Sequence, residues 1–206
     1  MNNEIKILVF DLGNVLIPFH YDIIINRLNE KEYGLGEYFV EKYKANYDVH
    51  RKFEKGEMSE KEFLSIMLDW TKHKTDAEEF KKIYSEIFTV NEQMTALLEK
   101  LKKHYRLMLL SNTNAIHQKY GWEKYPFLKH FEKLFLSHEV GAVKPEKEIY
   151  LAVQNYTEAK PDEHLFIDDV EEYVNAAKAL GWHGIHFVNE EQAINELKKK
   201  LGFEIY

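Results

Sequence analysis

Cysteine is absent from this chain of 206 residues, which excludes disulfide bonds and thiolate chemistry. Positive charge is not in excess either. Lys and Arg number 28 against 35 Asp and Glu, a formal net charge of -7. Nucleic acid and anionic membranes want a basic surface, so neither is expected as a partner. The start, Met1-Asn2-Asn3-Glu4, lacks the charged opening and apolar core of a signal peptide. The apolar run Ile7 to Phe10 is far too short to span a bilayer. A cytoplasmic protein is expected, as a monomer or weak homodimer. There is no internal repeat, low-complexity tract or flexible linker. What remains is 45% hydrophobic and 31% charged, an ordinary globular composition. Its length suits one good-sized domain, or a domain plus a small insertion.

The chain is organised around Ile7-Leu8-Val9-Phe10-Asp11-Leu12-Gly13-Asn14-Val15. A continuous apolar run reads as a strand buried on both faces, and it ends abruptly in a carboxylate. Open α/β sheets gather ligands at the carboxyl ends of their strands. The Asp11 carboxylate and the Gly13 carbonyl, two residues apart, suit one face of a hard cation such as Mg²⁺. Alone, the stretch reads equally as a core strand closed by an Asx turn.

From Asp22 to Phe88 there is no convincing strand. Helical spacing predicts Asp22–Lys31, ended by Gly34 and Gly36, then one helix over about Glu37–Lys55 stopped by Gly56. Ser59 and Glu62 form a capping box for a third helix, and Thr75-Asp76-Ala77-Glu78 opens a fourth. Four helices make a small bundle. Strands and helices then alternate. Apolar runs at Leu107–Leu110, Leu134–Leu136, His164–Asp169 and Gly184–Val188 are separated by helical stretches. Pro145 suits the first turn of one of those helices. Such alternation implies right-handed crossovers and a parallel sheet. The expected fold is α/β, a Rossmann-like parallel sheet carrying an inserted helical bundle.

Four strand ends or following loops carry chemistry: Asp11/Gly13, Ser111/Asn112, Lys144 and Asp168/Asp169. Each has a plain structural reading. Ser111 and Asn112 suit a helix cap, Lys144 a solvated surface, and Asp168-Asp169 a helix amino end. One functional reading covers all four. Asp11 is the nucleophile, since carboxylates attack phosphorus to form an aspartyl-phosphate. Asp11, the Gly13 carbonyl and Asp169 hold Mg²⁺, with Asp168 binding through a water or orienting Asp169. Ser111, the Asn112 amide and Lys144 hold the phosphoryl oxygens, and Lys144 offsets the charge that develops there. Arg51 and Lys52 are candidates for reaching the substrate from the helical insert.

The order Asp-x-Gly-Asn-Val-Leu, Leu-Leu-Ser-Asn-Thr, Val-Lys-Pro-Glu, Phe-Ile-Asp-Asp resembles the haloacid dehalogenase-like hydrolases. The resemblance implies a Mg²⁺-dependent phosphatase with a Rossmann-like core at 1–17 and 89–206. It also implies a mobile helical cap at 18–88 that closes over a small phosphorylated metabolite. Phe53-Glu54-Lys55-Gly56-Glu57-Met58-Ser59 through Phe63 resembles the cap of the sugar-phosphatase branch. Most phosphatases of the family carry a second Asp where this chain has Gly13, as general acid and then base. The branch resembling glucose-1-phosphate phosphatases shares the Asp-Leu-Gly-Asn-Val stretch. His20, near the site entrance, is a candidate stand-in for the missing acid. Two alternatives follow from Gly13. One is a 2-haloacid dehalogenase, which needs no metal and no paired acids. The other is a non-catalytic protein that binds a phospho-ligand or partner.

Overall fold

The computed structural model describes residues 4–202. Strands β1 (Ile7–Phe10), β2 (Arg106–Ser111), β3 (Lys133–Leu136), β4 (His164–Asp168) and β5 (His183–His186) form one parallel sheet in the order β3-β2-β1-β4-β5. Every residue of β1 and β4 is buried, as expected of apolar strands covered on both faces. Side chains alternate across the sheet. Leu8, Phe10, Leu109 and Ile167 pack against α6 (Glu92–Leu101) and α10 (Glu190–Leu201). Ile7, Val9, Met108 and Phe166 pack on the other face against α8 (Lys147–Thr157) and α9 (Glu171–Ala179). The result is a three-layer sandwich with the family of strand ends on one edge.

Between β1 and α6 the chain builds five helices: α1 (Tyr21–Asn29), α2 (Leu35–Ala45), α3 (Tyr47–Glu54), α4 (Glu60–Trp70) and α5 (Ala77–Ser85). They share their own apolar cluster, with Leu28, Phe39, Phe63, Met67, Phe80 and Tyr84 at its centre. The four-helix count therefore becomes five. The helix expected over 37–55 is broken at Asn46, where φ is -128° and ψ 43°. The Asn46 side chain donates to the Lys42 carbonyl at 2.9 Å, so it satisfies the end of α2 in place of the next helical turn. Gly36 does not end a helix. It lies inside α2 where the α1 backbone passes so close that a Cβ would stand 2.3 Å from the Ile25 carbonyl oxygen. The Ser59–Glu62 capping box is present, with Glu62 N–H on Ser59 Oγ and Ser59 N–H on Glu62 Oε2.

In the second half, the helical stretch that follows β2 is a π-helix at His117–Trp122. Ser137 leaves β3 to start the single-turn α7 (Ser137–Val140). Pro145 precedes α8 rather than opening it, and the Lys144–Pro145 peptide bond is cis. Among the described residues no helix is long and apolar enough to cross a membrane.

Candidate active site

Parallel pairing aligns the carboxyl ends of the central strands. Phe10 is level with Leu109 on one side and Ile167 on the other, and Asp11 N–H donates to the Ile167 carbonyl at 2.9 Å. Asp11 therefore emerges beside Asp168, with Ser111 at the end of the neighbouring strand. Lys144 comes from the loop after α7 and lies between the acids. Its Nζ is 2.7 Å from Asp11 Oδ1 and 2.6 Å from Asp168 Oδ2, and the residue is only 1% exposed. The reading of Lys144 as a solvated surface lysine is thus excluded.

The loop that carries Lys144 is fastened by Asn112. Lys144 N–H donates to Asn112 Oδ1 at 2.7 Å, and Asn112 Nδ2 donates back to the Lys144 carbonyl at 3.1 Å. Ser111 is buried, with its hydroxyl donating to the Asn112 carbonyl at 3.4 Å. Asp168 has little freedom. Its Oδ2 meets Lys144, and its Oδ1 accepts from Val170 N–H at 2.8 Å ahead of α9. Asp169 is held by Asn14, whose Nδ2 donates to Asp169 Oδ2 at 2.8 Å. His186 donates to the Asp169 carbonyl at 3.0 Å.

Asn14 takes a left-handed backbone conformation, φ 54°, and the turn it makes brings Val15 N–H onto the Gly13 carbonyl at 2.6 Å. A carbonyl oxygen has two lone pairs, so that bond leaves one free. The space a side chain at 13 would enter is taken by Phe19, whose Cε1 would lie 3.3 Å from a Cβ.

Carboxylate oxygens of Asp11, Asp168 and Asp169 lie within 4.8 Å of one another. Burial pushes the Asp11 carboxyl up to about 8 against the pull of Lys144, and Asp168 and Asp169 add to the push. Burial raises Asp169 as well, although Asn14 counters it. Lys144 is held above its ordinary value: burial opposes its charge, but Asp11 and Asp168 outweigh it. Three clustered acids against one lysine leave negative charge that a hard divalent cation would offset. Oxygen donors of this kind are the ones Mg²⁺ takes, so the residues present fit that ion.

Asp11, Gly13, Ser111, Asn112, Lys144 and Asp169 line one cavity of about 250 Å³. Its opposite wall comes from α3 through His50, Arg51 and Glu54. Arg51 Nη2 donates to the Lys144 carbonyl at 3.1 Å, which ties that wall to the floor. Lys52 does not reach it and pairs with Asp48 at the surface. His20 is exposed, 3.4 Å from Thr89 Oγ1, and is not part of the lining. Three neighbours went unread in the sequence: Asn14, His50 and Glu54. The phrase Phe53-Glu54-Lys55-Gly56 marked the segment without saying which side chain turns inward.

This arrangement of strand ends has counterparts. Residues 5–181 match the family described as haloacid dehalogenase-like hydrolases. D-ribitol-5-phosphate phosphatase of Bacteroides thetaiotaomicron is 28% identical over 185 residues, 86% of this chain and 89% of that one. A phosphorylated carbohydrates phosphatase of Thermotoga maritima is 26% identical over 204 residues, 91% and 89% of the two chains. A HAD family enzyme of Bacteroides thetaiotaomicron, solved in complex with magnesium and inorganic phosphate, superposes with a TM-score of 0.76 at 29% identity, over 88% of this chain and 93% of that one. With the acids and the lysine on the carboxyl edge of this sheet, and the family match running over residues 5–181, the chain belongs to the haloacid dehalogenase-like hydrolase family.

Proposed function

We propose that this protein is a Mg²⁺-dependent phosphatase that hydrolyses a small phosphorylated carbohydrate through an aspartyl-phosphate on Asp11. The observation that carries the proposal is the Asp11–Lys144–Asp168 contact beside Asp169, buried on the floor of a cavity of about 250 Å³. Support for the reaction comes from relatives that are phosphatases and from a relative solved with magnesium and inorganic phosphate. Support for a carbohydrate comes from two of those names and from the polar wall of His50, Arg51 and Glu54, whose hydrogen-bonding groups suit hydroxyls.

In this reading Asp11 attacks phosphorus with the oxygen not held by Lys144. Lys144 stays protonated and spreads its charge over the phosphoryl oxygens as the bond to the leaving oxygen lengthens. Ser111 Oγ and the Asn112 amide bind the same oxygens, and the Asn112 side chain keeps Lys144 in place. Asp168 holds Lys144 in line and would reach the ion through a water or orient Asp169. Asp11, the Gly13 carbonyl and Asp169 would hold Mg²⁺, with Asn14 orienting Asp169. When bound, the ion neutralises the phosphate and acts as a Lewis acid toward it. Residues 18–88 act as a cap that closes over the substrate, and 1–17 with 89–206 form the catalytic core.

The test is phosphate release from a panel of sugar, alditol and acyl phosphates, with Mg²⁺ and with EDTA, for wild type and Asp11→Asn. The expected result is release that needs Mg²⁺ and disappears in the variant. Halide release from 2-haloacids without Mg²⁺ would replace the proposal with the dehalogenase reading. Mg²⁺-dependent phosphate binding without any turnover would replace it with the binding-protein reading.

A further inference from the structure

Gly13 can neither give a proton to a leaving oxygen nor take one from water, and that service is typically worth about 10²–10⁴-fold in rate. The cavity offers few substitutes. Arg51 does not release its proton. His117 donates from Nε2 to the Tyr84 carbonyl and accepts at Nδ1 from Asn114, so both nitrogens are committed to the fold. The lining tyrosines Tyr21, Tyr47 and Tyr173 are all shifted up by burial and hold their protons.

Glu54 and His50 remain. Glu54 is a buried carboxylate, 9% exposed at its side chain, and lines the same cavity as Asp11. It is linked to Asp11 by consecutive contacts. Glu54 Oε2 lies 3.2 Å from Arg51 Nη1, Arg51 Nη2 donates to the Lys144 carbonyl, and Lys144 Nζ reaches Asp11. Its other oxygen is 3.1 Å from His50 Nε2. Behind the imidazole, His50 Nδ1 is hydrogen-bonded to the hydroxyls of Tyr43 and Tyr84. Burial alone would raise Glu54, but His50 and Arg51 more than offset it and hold its carboxyl below the ordinary range. The helix break at Asn46 is what sets this face of α3 over the site.

We propose that Glu54 is the general acid and base of this active site, with His50 as the positioning residue that stores its proton. The proposal rests on the phosphatase reading above. In the first step the Asp11–phosphorus bond forms and the bond from phosphorus to the leaving oxygen breaks. As that bond breaks, a proton passes from His50 Nε2 to Glu54 and from Glu54 to that oxygen, which leaves the pair one proton short. In the second step water attacks phosphorus and gives its proton to the Glu54–His50 pair, while the bond to Asp11 breaks and phosphate departs. The pair ends with the proton it started with.

The test compares phenyl phosphate with p-nitrophenyl phosphate, with Mg²⁺, for wild type, Glu54→Gln and His50→Gln. Neither leaving group has a further hydroxyl for Glu54 to bind, so recognition of a sugar cannot mimic the effect. For a double displacement kcat/KM reports phosphoryl transfer to Asp11, and nitrophenolate leaves without a proton. Glu54→Gln is expected to lose about 10²-fold or more in kcat/KM on phenyl phosphate and less than about 3-fold on p-nitrophenyl phosphate. Its kcat on the latter is expected to fall after a burst of one equivalent of nitrophenolate, because water activation is impaired. His50→Gln, which keeps the carboxylate, is expected to show the same split, more weakly. Equal losses on both substrates in both variants, or no loss on phenyl phosphate, overturn the inference alone. Wild type inert on every phosphate overturns the phosphatase reading and this inference with it.

Discussion

His117 makes the stability of this fold depend on pH in a way that can be isolated. The ring is stacked on Tyr84 with centroids 4.1 Å apart and is 8% exposed. Its hydrogen bonds assign its protonation. Asn114 Nδ2 donates to Nδ1 at 3.3 Å, while Asn114 Oδ1 is fixed by His117 N–H at 3.0 Å. A proton on Nδ1 would face that amide N–H. Burial accordingly pushes the imidazole down to about 3 from an ordinary 6.5, with His50 adding to the effect and Glu54 opposing it. A folded-state value below the unfolded one means that the unfolded chain binds the proton first. The stability is complete above about pH 6.5 and drains away as pH falls toward 3. A pH of about 5 lies some 1.5 below the unfolded value of 6.5 and well above the folded one, which makes the loss about 2 kcal/mol there. Urea unfolding of wild type and His117→Gln at about pH 8 and about pH 5 measures it as a double difference. Wild type is expected to lose about 2 kcal/mol more than the variant on acidification. Parallel losses, within about 0.5 kcal/mol, would refute the assignment of a buried neutral imidazole.

Three further outcomes are expected. Mg²⁺ at about 100 times its dissociation constant should stabilise the fold by about 2.7 kcal/mol, or roughly 5–10 °C in Tm, and Asp169→Asn should abolish the gain in a melting assay. Lys144→Met leaves Asp11 and Asp168 buried without a counter-charge and should cost about 3–5 kcal/mol in urea unfolding. Adding Asp168→Asn in the same chain should restore part of that loss. Gly36→Ala drives a methyl group into the α1 backbone at Ile25 and should cost about 1–3 kcal/mol, read from the unfolding midpoint.

The sheet was legible because its strands are buried on both faces, which forces continuous apolar runs, and because each run ends in a residue of different chemistry. Asp11, Ser111 and Asp168 could be found by that break alone. Lys144 could not, since a lysine before a proline looks the same on a surface as in a core; the companion motifs pointed to it. The wall of the cavity was less legible for a physical reason. Glu54 and His50 sit on a helix that is polar on paper, and only its docking against α2, α4 and α7 turns those groups inward. The break at Asn46 escaped notice because helical periodicity runs through it unaltered. Gly36 looked like a terminator because closeness between two helix backbones leaves no mark in either one's pattern.

The ring of Phe19 beside Gly13 also constrains how this chain can change. Phe19 packs against Tyr21 and Phe88 and fills the place a residue-13 side chain would need. Aspartate at 13 with phenylalanine at 19 forces a carboxylate against the ring. A small residue at 19 with glycine at 13 removes the ring's contacts with Tyr21 and Phe88 beside the nucleophile. A side chain at 13 and the ring at 19 are therefore coupled by packing, and a change at one position is felt at the other.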